Sequence, residues 1–165
     1  MAEYRLAPIG ADDTHDLRLR VLRDGTPSSD VEWVGDGLDT TVHLGVIDAS
    51  STIVAISTWL TMPSPDVTAA GAAGVQLRGM ATDPSPATRG VGVGALLLRA
   101  GIEAARERGA DHVWANARTT VLGFYTRAGF EIVSDEFMNE ATDLPHHRIL
   151  LYLHAWPHST LELRP

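Results

Sequence analysis

A glycine-rich segment between a predicted strand and a predicted helix constrains the fold of this chain more than any other feature. An extended run over residues 75–82 leads into a loop that ends Arg-Gly-Val-Gly-Val-Gly at residues 89–94, and an amphipathic pattern then predicts a helix over residues 91–108. Three glycines at alternate positions leave bare N–H donors at the positive end of the helix dipole. Such a row of amides predicts a site for a phosphate-bearing ligand.

Two common phosphate-binding motifs do not fit this segment. A P-loop needs Lys followed by Ser or Thr after its last glycine, but Ala95 and Leu96 follow Gly94. A dinucleotide-binding fingerprint needs G-x-G-x-x-G, and Leu97 stands where its last glycine would be if Gly92 opened the pattern. The loop by itself also leaves open a glycine-rich helix start that binds no ligand.

A second motif lies downstream, at residues 123–130, which read Gly-Phe-Tyr-Thr-Arg-Ala-Gly-Phe. The glycine loop, a helix, a strand and this Phe-Tyr-x-x-x-Gly-Phe segment, in this order, resemble the GCN5-related N-acetyltransferase (GNAT) superfamily. The resemblance covers residues 75–130 closely and the flanks only in their pattern of elements. The length of the chain predicts one domain over residues 1–165, and the order of its predicted elements indicates an α/β (or α+β) fold. Its mixed, strongly twisted sheet would be flanked by helices, with a V-shaped splay between central strands.

The resemblance implies acetyl-CoA as co-substrate. No metal is expected, because the adjacent His146 and His147 usually point apart and no partnered ligand spacing is present. The pyrophosphate would lie on main-chain amides at the helix start, contributed by Arg89, Gly90, Val91, Gly92, Val93, Gly94 and Ala95. The pantetheine arm would pair with the backbone of the preceding strand at Met80, Ala81 and Thr82, where mid-strand Gly79 predicts a bulge. The loop over residues 83–89 is slightly longer than is usual in the superfamily.

Tyr125 is the predicted catalytic residue. A phenol with a pKa near 10 stays protonated at neutral pH, so it can give a proton to the departing CoA sulfur; a tyrosine that only packs beside the cofactor is the alternative. Relatives commonly carry an Asn seven places before this tyrosine, but Arg118 stands there, and Asn116 is the predicted cofactor contact instead.

The acceptor pocket is predicted from residues outside the two motifs. The irregular segment 25–41 follows the first predicted helix, and an aromatic side chain with nearby carboxylates suits an amine pocket; a surface loop with a buried Trp anchor is the alternative. The candidates for contact with the acceptor are Glu32, Trp33, Asp39, His43 and His146. The general base is open among Glu32, Asp39, His43, Glu136, His146, His147 and a water chain.

The remaining pattern predicts strands at residues 4–9 and 112–117, a hairpin of residues 41–48 and 52–60, and a closing pair at 130–134 and 149–154. Residues 139–147, which include Pro145, are predicted to form a loop. A helix is expected from about residue 12 to 23, with Arg18, Arg20 and Arg23 on a solvated face.

The composition limits the classes of partner. A formal net charge of −8 argues against nucleic acid or an anionic membrane and suits a cationic or neutral amine. The chain has no cysteine, which excludes disulfides and thiolate nucleophiles, and no apolar run of membrane-spanning length, so a cytoplasmic protein is expected. Homodimers are common in this superfamily, and the apolar run 149–153 is the candidate contact.

The predicted activity is transfer of an acetyl group from acetyl-CoA directly to a primary amine of a small molecule or a peptide. The alternative is a non-catalytic acyl-CoA-binding regulatory domain of the same fold. A nucleotide-phosphate enzyme is disfavoured, because the loop lacks the Lys of a P-loop and a nearby acidic pair for a metal.

Overall fold

Strand pairing in the computed structural model, which describes residues 3–155, joins eight strands into one mixed sheet. In chain order the strands are β1 (Arg5–Pro8), β2 (Val42–Ile47), β3 (Ile53–Thr61), β4 (Gly74–Thr82), β5 (His112–Arg118), β6 (Glu131–Ile132), β7 (Phe137–Asn139) and β8 (Leu144–Tyr152). Their order across the sheet is β1-β2-β3-β4-β5-β8-β6, and β7 also pairs with β8. Among these described strands, β4 and β5 pair in parallel and the other pairs are antiparallel.

Three helices accompany the sheet within residues 3–155, and the predicted fold class is confirmed. The first, α1, spans residues 12–22 and is composite: a 3-10 turn (Asp12–Thr14), an α turn (His15–Leu17) and a π turn (Arg18–Leu22). The second, α2 (Val93–Glu107), begins after Gly92, whose φ is +82°, and is followed by Gly109, whose φ is +84°. The third, α3 (Leu122–Arg127), follows a 3-10 turn (Thr119–Val121), and a last 3-10 turn covers Leu153–Ala155.

The helices cover both faces of the sheet. Residues an odd number of places apart on a strand point to opposite faces, as Ile56 and Trp59 do on β3. Ile56 packs with Leu17 of α1, whereas Trp59 belongs to the larger core cluster built on α2. A Cβ on Gly101 would come within 1.8 Å of the Trp59 indole, so α2 lies directly on that ring. The two faces of the central strands therefore look toward different helices.

The predicted solvated face of α1 is wrong for Arg18. Its side chain is fully buried, and its guanidinium donates to the Asp36 carboxylate at 2.5 Å, the Val31 carbonyl at 2.7 Å and the Thr58 hydroxyl at 2.8 Å. The sequence pattern of α1 predicts that Arg18 is exposed with the other polar residues of the helix. The Asp36 carboxylate, which allows Arg18 to be buried, lies in the irregular segment after the helix. Arg20 keeps the predicted exposed position, where it pairs with Asp16 and Asp83.

The predicted loop over residues 139–147 is also wrong, because a β7–β8 hairpin occupies it. The Asn139 side chain accepts the Ala141 amide at 3.0 Å, Asp143 adopts a φ of +53°, and β8 then starts at Leu144. Pro145 is tolerated because β5 ends at the pair Arg118–His146, so no β5 carbonyl needs the missing proline N–H. The predicted closing strand thus begins earlier than expected and carries His146 into the sheet.

The proposed homodimer contact at residues 149–153 lies inside the protein. β8 pairs with β5 on one side and with β6 and β7 on the other. Ile149, Leu150 and Leu151 are buried, and Tyr152 is the member with a substantially exposed side chain. This run is therefore part of the sheet interior, while the oligomeric state stays a prediction.

Candidate active site

A cleft opens where β4 and β5 separate. The two strands pair only from Gly74 to Gln76 on β4, opposite His112 to Trp114 on β5, although both continue for several residues. A cavity of about 550 Å³ lies between the diverging ends. The β4 backbone beyond Gln76 pairs with β3 on one side only, so its other edge faces this cleft. The V-shaped splay predicted from the sequence is present.

A bulge at Gly79 shapes the β4 side of the cleft. The β3–β4 register passes from Ile56–Ala81 to Thr58–Arg78, so two residues of β4 lie opposite one of β3. Gly79 has a φ of +59°, and a Cβ there would come within 2.7 Å of the Trp33 ring. Both the left-handed backbone and the close ring therefore favour glycine at this position. The bulge brings Met80, Ala81 and Thr82 to the cavity wall, together with Trp33.

The glycine loop leads into α2 beside this wall. Gly90 and Gly92 have φ values of +77° and +82°, and the first hydrogen bond of the helix runs from the Leu96 amide to the Gly92 carbonyl at 2.9 Å. The amides of Val93, Gly94 and Ala95 precede that bond and have no acceptor within the helix. A Cβ on Gly94 would lie 3.6 Å from Thr82 Oγ1 and 3.7 Å from Met80 Cε. The start of α2 therefore adjoins the cleft.

The longer stretch before the glycines forms an ordered turn. The Thr88 hydroxyl is buried and donates to the carbonyls of Asp83 and Ser85, and the Arg89 amide donates to the Ser85 carbonyl at 3.1 Å. Arg89, Gly90, Val91, Gly92 and Ala95 are exposed, while Val93 is buried. The extra residues therefore form a turn before the glycines, and the main chain of the glycine segment stays exposed.

Tyr125 reaches the cavity from α3. Its ring makes edge contacts with Phe124 and Phe130 at centroid distances of 5.0 and 5.7 Å, and its hydroxyl points at Met80 Sδ, 3.8 Å away. Only 8% of the residue is exposed, and burial raises the pKa of the Tyr125 phenol to about 12. The phenol is therefore protonated at neutral pH and can act as a proton donor.

His146 lies on the cavity wall, directly across the β5–β8 pairing from Arg118. Its Nδ1 lies 2.8 Å from the Leu144 carbonyl, which can only accept, so Nδ1 carries a proton, and in the neutral ring Nε2 keeps its lone pair. Burial lowers the pKa of His146, and the charge of Arg118 lowers it further, although the Leu144 carbonyl opposes this shift. A neutral imidazole with an unprotonated Nε2 is the state in which histidine accepts a proton.

Of the other predicted acceptor contacts, Trp33 lines the cavity, whereas Glu32, Asp39 and His43 lie elsewhere. Glu32 and Asp39 are exposed and do not line the cavity. His43 is buried behind it, with Nδ1 2.8 Å from the Thr58 hydroxyl and Nε2 2.9 Å from the Asp36 carbonyl. Since a carbonyl only accepts, Nε2 donates and Nδ1 accepts, which engages both ring nitrogens in the fold.

The wall beneath Trp33 is a buried ion cluster. Asp36 binds Arg18 at 2.5 Å and Arg78 at 2.9 Å, and the Arg18 guanidinium lies 3.9 Å from the centroid of the Trp33 ring. Burial by itself would raise the pKa of Asp36, but hydrogen bonds from Arg18 and the Trp33 amide and the two cationic charges outweigh it and hold that pKa below its usual value. Asp36 therefore holds Arg18 against the Trp33 ring and also accepts the Trp33 amide, at 3.0 Å.

The residues that line the cavity and that the sequence did not assign to it include Arg23, Asp30, Arg118 and Asn139. Arg23 was expected on a solvated face, and Asn139 in a loop. The sequence did single out Arg118, because relatives commonly have an Asn at this position, seven places before the tyrosine. Asn116, the predicted cofactor contact, also lines the cavity and is exposed.

Two absences hold for residues 3–155. None of their helices combines the length and apolar character needed to cross a bilayer. Within the same range, His, Cys, Asp and Glu side chains do not gather in threes in a way that could hold a metal ion.

Known proteins resemble this chain in both sequence and fold. A sequence model of the acetyltransferase (GNAT) family matches residues 52–130. The uncharacterized N-acetyltransferase YitI of Bacillus subtilis (strain 168) is 30% identical over 129 residues, which are 78% of this chain and 83% of that protein. FeeM, an N-acyl amino acid synthase from uncultured soil microbes, superposes with a TM-score of 0.78 at 13% identity, covering 94% of this chain and 93% of FeeM. An acyl-CoA N-acyltransferase from Pseudomonas aeruginosa gives a TM-score of 0.67 at 22% identity, covering 90% and 99%.

These matches agree with the geometry of the cleft. The structures share the fold, while the Bacillus subtilis relative shares the sequence over most of both chains. The chain therefore belongs to the GNAT acetyltransferase family, a family of acyl-CoA-dependent N-acyltransferases that act on amine acceptors.

Proposed function

We propose that this protein is an acetyl-CoA-dependent N-acetyltransferase that transfers an acetyl group directly to a primary amine of a small molecule or a peptide. One observation carries the proposal: a protonated, buried phenol, Tyr125, lies in the cleft between β4 and β5 beside the amide-rich start of α2. A site for thioester aminolysis needs a proton donor for the leaving sulfur and hydrogen-bond donors for the coenzyme. Tyr125 would supply the first, and the amides at the start of α2 would supply the second.

The residues present fit acetyl-CoA. The amides of residues 93–95, with the open backbone of residues 89–92, would hold the pyrophosphate through N–H donors at the positive end of α2. The unpaired edge of β4 at Met80, Ala81 and Thr82 would hold the pantetheine arm through main-chain groups. When bound, the coenzyme supplies an activated thioester whose acyl carbon an amine can attack.

Two side chains would move the protons. The amine nitrogen forms a bond to the acyl carbon as the carbon–sulfur bond breaks, and one proton must leave the nitrogen while one reaches the sulfur. We assign the first transfer to His146, whose Nε2 has a lone pair, and the second to Tyr125. Asn116 would contact the coenzyme or the acceptor from β5.

A non-catalytic acyl-CoA-binding regulator of the same fold is the second candidate. Such a protein needs the glycine loop but no proton donor or acceptor at the cleft. The presence of both Tyr125 and His146 on the cavity wall favours an enzyme.

Two measurements test the proposal in sequence. Thermal-shift assays should give an increase in Tm with acetyl-CoA and CoA and none with ATP or NAD, because only a ligand of the native state stabilises it by mass action. A screen that follows release of free CoA over amines, amino acids and peptides should then identify an acceptor. Stabilisation by ATP alone would contradict coenzyme A binding, and CoA binding without turnover on any amine would favour the regulator.

The cellular location, domain organisation and oligomeric state of the enzyme are also proposed. Because acetyl-CoA is a metabolite of the cell interior, we propose a cytoplasmic protein in which residues 1–165 form one domain. A homodimer remains part of this proposal, with size-exclusion chromatography coupled to light scattering as its measurement.

A further inference from the structure

The side of the cleft proposed for the acceptor and the side proposed for the coenzyme (the acyl donor) lie on different faces of the sheet. Tyr125 and Met80 pack with the core cluster that contains α2. On the α1 side, the wall consists of the end of α1, residues 30–33 and the β7–β8 turn, which are joined by side-chain bonds. Arg23 bonds to Ala141, and Arg118 bonds to Leu22. The coenzyme loop belongs to α2, so an amine would approach from the α1 side.

This α1 side carries two arginines whose charge no described carboxylate balances. Arg118 Nη2 donates to the Leu22 carbonyl at 2.5 Å. Arg23 donates to the carbonyls of Asp30 at 2.8 Å and Ala141 at 3.3 Å, and its guanidinium lies 5.3 Å from the centroid of the Trp33 ring. All of these partners are neutral, and within residues 3–155 neither guanidinium has a carboxylate oxygen within 4.0 Å. The pair contrasts with Arg18 and Arg78, which share Asp36.

The two unbalanced cations act on each other. Burial lowers the pKa of Arg118, and the charge of Arg23 lowers it further. Asp30 is the acidic residue on the same wall, and its carboxylate accepts the Glu32 amide without an ion pair to Arg23. An oxyanion between the two guanidiniums would relieve their repulsion and could bind either one in the two-point geometry that arginine favours.

We propose that the acceptor is a small amine that also carries an oxyanion, a carboxylate or a phosphate, held by Arg23 and Arg118. This inference rests on the proposed N-acetyltransferase function and narrows its substrate class. The negative net charge of the chain indicated a cationic or neutral amine, but the wall of the pocket has the opposite sign. Arg118 also faces His146 across the β5–β8 pair, so an acceptor anchored there would present its amine near the unprotonated Nε2.

The test compares amine acceptors that carry an oxyanion with amine acceptors that lack one. The probes are α-amino acids, their carboxamides, aminoalkyl phosphates and spermidine, with CoA release as the readout. We expect the wild type to favour an acid over its carboxamide by about tenfold to a hundredfold in kcat/KM, as charge-assisted hydrogen bonds imply. R118Q removes the charge but keeps a polar amide side chain, so this preference should fall toward one, as it should in R23Q. R118K should restore part of it.

The control variant is R5Q, which removes the same charge from an exposed position on β1 and should leave the preference as in the wild type. Turnover of phosphates but not carboxylates would support the proposal and identify the oxyanion. Better turnover of spermidine or carboxamides than of acids would overturn it while leaving the N-acetyltransferase function intact. If R118Q and R23Q instead weaken binding of CoA alone as much as they raise the KM of the acceptor, the arginines serve the donor and the proposal is wrong. CoA binding without turnover of any amine would overturn both proposals.

Discussion

Replacing Tyr125 by phenylalanine isolates the proposed proton donor from the packing of its ring. The edge contacts with Phe124 and Phe130 involve ring carbons, which phenylalanine keeps. The hydroxyl contacts Met80 Sδ at 3.8 Å, a weak bond. We therefore expect the free energy of unfolding to change by less than about 1 kcal/mol, a value typical of a single neutral hydrogen bond.

The effect on catalysis should be much larger. Loss of a positioned general acid lowers turnover by about a hundredfold to ten-thousandfold, which raises the activation barrier by about 2.7–5.4 kcal/mol. Because the pKa of Tyr125 is about 12, the phenol stays protonated through neutral pH, and the acidic limb of the pH profile should be the same in wild type and Y125F.

The measurements are initial rates of CoA release with the best acceptor from the screen, CoA affinity by titration calorimetry, and urea unfolding. The matched control is Y152F, which removes the same hydroxyl from an exposed tyrosine on β8. A kcat of Y125F within about threefold of the wild type, less than 1 kcal/mol of barrier, would refute the acid role. A loss of CoA affinity that accounts for the loss of rate would instead assign Tyr125 to cofactor packing.

Three further substitutions test the wall of the cleft. H146Q should lower kcat/KM and remove the acidic limb of its pH profile. Because the pKa of His146 is lowered from its ordinary value of about 6.5, the wild type should lose its unprotonated base only below about pH 6.5. An unchanged pH profile in H146Q would exclude His146 as the base. D36N should lower the free energy of unfolding by about 3–5 kcal/mol, because it leaves the fully buried Arg18 without a counter-charge, and urea denaturation showing a loss under 1 kcal/mol would contradict this. G79A should lower the free energy of unfolding by about 1–2 kcal/mol because of the positive φ, and further because the new Cβ displaces Trp33. The control is G71A, at a glycine with a similar φ of +76° and no atom within 4 Å of an added Cβ. Equal losses of stability in the two variants would show that the Trp33 ring does not constrain Gly79.

Elements governed by local backbone preferences could be predicted from the sequence. Glycines at residues 90, 92 and 94 marked the amide-rich start of α2, and Gly79 marked the bulge on β4, because positive φ and missing side chains act within a few residues. The motif around Tyr125 located the phenol, since its spacing within a short helix is also local. Together these segments were enough to predict the family, the splay and the expected coenzyme.

The acceptor side depended on tertiary structure. Arg18 looks like a surface residue on its helix, and only Asp36, which reaches it from another segment, allows its burial. Arg23 and Arg118 meet on one wall because Arg118 bonds to the end of α1, 96 residues away in the chain. Pro145 favoured a loop over residues 139–147, but pairing of β8 with β5 and β7 makes this segment a hairpin. That hairpin brings His146 opposite Arg118. Charge balance and protonation depend on burial and on partners that are distant in sequence. The sequence alone therefore determined where the coenzyme is expected to bind, and the fold decided which charges line the side of the cleft proposed for the acceptor.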